Sequence, residues 1–168
     1  TRPRHAPCHP PAYADPEHAA QSPPAARRYA EIAPDAPHAL HMPSHIFLQL
    51  GMWPEAAASN EASWTASDQW VKQKNLPISK RDYHGLHWLL YIYLQQGRYV
   101  KAEELLNIMR QSLVEFPRDD PHNLMFGTFT YTSMIAAFVA EPERGDKAEQ
   151  LLGPPQAKME ESKSPVCG

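Results

Sequence analysis

Apolar residues recur at steps of three and four along most of the chain, the period of helices with one buried stripe, and strand-like alternation is missing. The pattern predicts helices over 24–33, 38–50, 54–67, 81–96, 100–115, 121–140 and 146–152. Between them lie proline- and glycine-marked loops at 34–37, 75–77, 117–121 and 141–145. Pro54 suits a first helical turn, where its missing N–H costs nothing. Gly51 and Gly97 stand where a short turn needs positive φ. Prolines 3, 7, 10, 11, 16, 23 and 24 break up the start of the chain, and 154, 155 and 165 its end. The expected organisation is therefore a Pro-rich irregular segment over 1–23, a helical domain over 24–152 and a flexible tail over 153–168.

Self-comparison turns this series of helices into a repeat. Ala56, Ala102 and Ala148 are spaced 46 residues apart, and the same shift aligns Phe47 with Tyr93 and Val139, Gly51 with Gly97, Trp53 with Tyr99, and Leu106 with Leu152. A helix pair cannot bury its apolar face alone. Each copy therefore repeats the small residue that lets helices approach and the large ones that fill the seam.

On these residues the chain resembles the tetratricopeptide repeat (TPR) superfamily. Leu86, Leu89, Tyr93, Gly97, Tyr99, Ala102 and Leu106 carry the best copy, and Phe47, Gly51, Trp53 and Ala56 the one before it. The third copy is degenerate, with Glu143 in the place of the turn glycine. The period exceeds the family's usual ~34 residues, and the excess is expected in the connectors 69–80 and 115–122. The stretch HALHMPSHIFLQLGMW, from His38 to Trp53, is similar to a segment of poorly characterised bacterial TPR proteins. The resemblance implies an all-α fold of antiparallel helix pairs stacked as a short right-handed solenoid. It also implies a concave groove that holds a peptide or protein segment.

Composition narrows the partners. Hydrophobic residues make up 42% and charged residues 21%, and the net charge of −3 leaves no footprint for nucleic acid or an anionic membrane. The longest apolar stretch, 86–94, is interrupted by His87 and is too short to span a bilayer. No secretory signal is visible, so a cytoplasmic location is expected, and membership of a larger array or an oligomer fits the lack of clear capping helices. Cys8 and Cys167, the only cysteines, lie near opposite ends and read as incidental thiols.

Histidine supplies the candidate chemistry. His38, His41 and His45 stand at i, i+3 and i+7, and His84 and His87 at i and i+3, spacings that place each set on one helix face. The 46-residue shift carries His38 to His84 and His41 to His87, with Tyr91 in the place of His45 and Thr130, Ser133 and Ala137 in the third copy. By resemblance that face lines the groove. His38, His41, His45, His84 and His87 are then candidate ligands for a metal ion (Zn, Cu, Ni or Fe) or for a groove-bound anion, with Tyr91, Thr130 and Ser133 lining the groove.

Neutral imidazoles also suit a pH-sensitive peptide groove, and half-buried histidines often do no more than donate to backbone carbonyls. No HExxH spacing is present, and Ser44 has no acidic partner in sequence for a nucleophile's role. Pro43 is expected to disturb the helix carrying the first cluster and Gly85 the start of the next. The leading expectation is a TPR-like scaffold with a His- and Tyr-lined groove for a peptide or protein partner. The alternative is a metal-binding protein or metal-dependent enzyme built on the two clusters.

Overall fold

A computed structural model describes residues 23–142 and 144–153. The proline-rich beginning, Cys8, Cys167 and nearly all of the expected tail lie outside them. The described residues form eight α-helices and two short 3-10 turns: α1 Pro23–Ile32, α2 Pro37–His41, α3 Pro43–Gln49, α4 Trp53–Gln73, a turn at Ile78–Lys80, α5 Tyr83–Gln95, α6 Tyr99–Glu115, α7 Pro121–Val139, a turn at Gly145–Lys147, and α8 Ala148–Leu152. No strand occurs among the described residues, as the apolar period predicts.

Two boundaries differ from the sequence expectation in ways that matter. The helix expected over 38–50 is divided. Pro43 has no N–H to donate, so α2 ends at His41 and α3 begins at Pro43, with Met42 between them still in helical conformation (φ −52°, ψ −38°). The helix expected to stop at 67 instead runs to Gln73. Much of the expected long connector is therefore helix, completed by the turn at Ile78–Lys80.

The 46-residue register reappears in the backbone. Gly51 and Gly97 take φ of 67° and 68°. After α3, Met52 N–H donates to Phe47 C=O at 2.8 Å and Gly51 N–H to Leu48 C=O at 3.1 Å. After α5, Arg98 N–H donates to Tyr93 C=O at 2.8 Å and Gly97 N–H to Leu94 C=O at 2.9 Å. Both ends are the same glycine-terminated Schellman turn, which satisfies the last carbonyls and returns the chain onto the helix it has just left.

Ala56 and Ala102, one step inside the following helices, are wholly buried, as close approach at those places requires. α4 packs against α2, α3 and α5, and α5 against α6 and α7. One core including Phe47, Leu86, Leu90, Tyr93, Leu106, Met109, Met134 and Phe138 runs through the pairs. Each of these side chains contributes roughly 1.5–3 kcal/mol by leaving water. Among the described residues no helix is long and apolar enough to cross a membrane.

Candidate metal centre

The start of α5 is fixed by Asp82. Its carboxylate accepts the Gly85 N–H at 2.9 Å, capping the helix that carries His84. A side chain at Gly85 would drive its Cβ into that carboxylate and bring it to 3.5 Å from Asn60 Oδ1, which explains a glycine inside a helix. The start of α2 is fixed from the same direction. Ser63 Oγ, fully buried on α4, lies 2.7 Å from Pro37 C=O and 2.6 Å from Asp82 Oδ2, so one hydroxyl ties together the two histidine-bearing segments. Ser67, a turn further along α4, accepts the Asp82 N–H at 2.9 Å.

Between these anchors three imidazoles converge. One nitrogen each from His41, His45 and His84 lies within 4.8 Å of the others. Because Met42 keeps helical dihedrals, the break at Pro43 leaves His41 and His45 facing the same side, with their Nε2 atoms 3.1 Å apart. Ring contacts pack the group: His41 lies edge-on to His84 at 4.8 Å between centroids, and Trp88 covers His45 at 4.3 Å.

The tautomer of His41 follows from its partner. Asn60 Nδ2 donates to Ala56 C=O at 2.9 Å, which orients the amide so that Oδ1 faces His41 Nδ1 at 2.6 Å. His41 Nδ1 therefore carries the proton, and its Nε2 lone pair points at His45. In a tetrahedral site two nitrogens each ~2.0–2.1 Å from an ion stand about 3.3–3.4 Å apart. The observed 3.1 Å needs only a small opening to admit one.

The electrostatics favour the neutral form of His41 and His45. Burial lowers the pKa of His41 below its ordinary value, and His84 and His38 push the same way against the Asn60 hydrogen bond and the Asp82 charge. His45 is pushed down to about 4, first by burial and then by His41, His84 and His38. Burial and then His84 lower His87. Among the described residues no carboxylate joins the three nitrogen donors. Asp82, the acid whose charge His41 feels, is engaged with Gly85 and Ser63.

The five histidines expected along one groove thus separate. His41, only 1% exposed, His45 and exposed His84 form the centre. His38 is exposed in a neighbouring cleft with Asp35, Ser67, Trp70, Lys80, Arg81 and Asp82. His87 lines an apolar hollow with Leu48, Trp88, Tyr91 and Ala137. Tyr91 is open to solvent, as a groove residue must be, whereas Thr130 is 2% exposed and offers no surface to a ligand; Ser133 is half-buried. His41 is turned inward, against Asn60 of α4. Ser44 is fully buried and its hydroxyl has no hydrogen-bond partner, which leaves it without a base.

The residues not foreseen are on α4. Asn60, Ser63 and Ser67 are buried polar residues at i, i+3 and i+7, and the 46-residue shift sets them opposite Leu106, Met109 and Leu113. A polar stripe in register with an apolar one was the available signal. No protein-family model, curated protein or solved structure matches the chain.

Proposed function

We propose that this chain is a TPR-like helical array that binds one divalent transition metal ion through His41, His45 and His84. The observation that carries the metal reading is the Asn60–His41 hydrogen bond. Metal-ligating histidines donate their second ring N–H to an oxygen that fixes tautomer and orientation, and Asn60 does this to a buried ring whose free nitrogen faces two more imidazoles. Three neutral nitrogen donors suit Zn²⁺, Cu²⁺ or Ni²⁺, whereas a typical open Fe²⁺ site includes a carboxylate. The solenoid part rests on the two identical helix ends, the buried alanines at equivalent places and the packing of α5 on both α6 and α7.

His84 is exposed, so removing it leaves the core intact and tests the ligand role directly. Calorimetric titration of tag-free protein with Zn²⁺ is expected to show one site per chain, lost in His84→Ala while the helical circular dichroism and thermal midpoint stay unchanged. Equal titration of both proteins overturns the assignment. A second reading, a peptide-binding groove, is favoured by the hollow beside Tyr91, whose side chain is 42% exposed despite its aromatic character.

A further inference from the structure

The centre and the apolar hollow adjoin at Trp88. On one side His41, His45 and Leu48 follow one another at i, i+4 and i+7. On the other, His84, Trp88 and Tyr91 do the same along α5. The first members of each row hold the imidazole cluster, and the last members, with His87 and Ala137, line a hollow of about 260 Å³. Trp88 belongs to both, covering His45 with its ring and forming part of the hollow's wall.

The charge at the head of this trough is unbalanced. Three neutral imidazoles leave a bound divalent ion with both of its positive charges, since no described carboxylate joins them. Three protein ligands also leave a fourth tetrahedral position, and the exposure of His84 opens the site toward solvent. An anionic oxygen is the natural fourth ligand. An apolar group attached to it would have a place to go one to two helical turns away, beside Leu48, Trp88, Tyr91 and Ala137.

We propose, resting on the metal reading above, that the site recognises an organic carboxylate carrying one apolar side group, with the carboxylate on the ion and the side group in the hollow. A small free acid and the C-terminal residue of a peptide share this chemistry.

Protein loaded with Co²⁺ tests it, because the visible absorption of Co²⁺ reports both nitrogen ligation and exchange of the fourth ligand. Titration with 3-phenylpropionate is expected to shift the bands saturably and at least about tenfold more tightly than acetate, the difference expected from burying the ring. The corresponding alcohol should leave them unchanged. Tyr91→Ala, at an exposed position, should remove most of the tenfold preference while Co²⁺ binds as before. A peptide ending in phenylalanine identifies the source: binding with a free but not an amidated C-terminus, at least as tight as the free acid's, assigns the site to chain ends, and binding of the free acid alone assigns it to a small molecule. Normal Co²⁺ binding with acetate and phenylpropionate equivalent, or with no response to either, overturns the carboxylate proposal and leaves the metal site standing. Absence of Co²⁺ bands overturns the metal reading itself.

Discussion

α4 and α6 begin 46 residues apart, each after a glycine-terminated turn, yet they face their neighbours with opposite chemistry. Both begin one residue after a Schellman turn and its following residue, and both bury an alanine at the first close approach, Ala56 and Ala102. Beyond that point α6 places Leu106, Met109 and Leu113 in the seam, and α4 places Asn60, Ser63 and Ser67. Buried polar groups are costly unless hydrogen-bonded, and each of these three is bonded to a group that bears on the histidines: Asn60 to His41, Ser63 to Pro37 and Asp82, Ser67 to Asp82. The repeat thus fixes where a side chain stands and leaves open what it does. His41 and His87 are equivalent in register, but only His41 has an oxygen waiting at its Nδ1.

The sharpest way to break this comparison is to remove the two equivalent histidines separately. His41→Ala deletes a ligand and leaves Asn60 Oδ1 buried without its partner, so Zn²⁺ affinity should fall by more than the roughly 10–100-fold that loss of an orienting partner costs. Stability in urea should fall by about 1–3 kcal/mol. His87→Ala, which faces the apolar hollow, should leave Zn²⁺ affinity within about twofold and stability within roughly 0.5 kcal/mol. Calorimetry and urea unfolding on the two variants measure both differences. Equal losses would mean that His87 also belongs to the site.

Much of the fold was legible because it depends on period and on turn chemistry. The apolar spacing gave the helices, and the 46-residue shift gave the equivalence of Gly51 with Gly97 and of Ala56 with Ala102, all of which the backbone repeats. The site was legible only in residue type. Spacing on one helix places His38, His41 and His45 together, but it does not say which of them turn inward: His41 is buried, His45 half-buried and His38 exposed. That outcome depends on packing against α4, which a single-helix pattern does not contain. The grouping of His84 with His41 and His45, and not with His87, likewise depends on how α5 docks. Asn60 and Ser63 were visible as polar residues, and their meaning emerges only when set against Leu106 and Met109.

Making α4 resemble α6 at one position sharpens the comparison further. Asn60→Leu installs the side chain of the equivalent place and removes the acceptor from His41 Nδ1. Zn²⁺ affinity should fall roughly 10–100-fold, and the unpaired ring N–H should cost about 1–3 kcal/mol despite the added apolar volume. Asn60→Asp restores an acceptor and should recover most of the affinity. If Asn60→Leu binds Zn²⁺ as well as the parent, the tautomer of His41 is set by something other than α4.

Gly85→Ala tests the junction between α4 and α5. Helix propensity alone favours alanine by about 1 kcal/mol, but the new Cβ meets the Asp82 carboxylate that caps α5. The net change in urea unfolding should be destabilising, about 1–2 kcal/mol, in the range for overpacking a filled contact. A gain in stability would show that Asp82 can move without loss, and that the cap does not hold His84 in place.

The smallest effect is on pH, and its sign is determined by the direction of the shifts. In metal-free protein His41, His45 and His87 have pKa values below their unfolded value of 6.5, His45 at about 4. Above pH 6.5 both states are unprotonated at these sites and their contribution to stability is fully present. As pH falls below 6.5 the unfolded chain takes up protons first, so stability declines until the folded rings also protonate, near pH 4 for His45. The unfolding midpoint in urea should therefore drop between pH 7 and pH 5, less so in His45→Gln, which removes the ring held lowest. His45 is partly open to water, so solvent screening keeps its share modest. Saturating Zn²⁺ should deepen the decline, because protons then compete with the ion for the ligand nitrogens of His41 and His45. A midpoint that rises on acidification would mean that these rings are stabilised as cations, and His41 and His45 held as cations could not serve as ligands in the site described here.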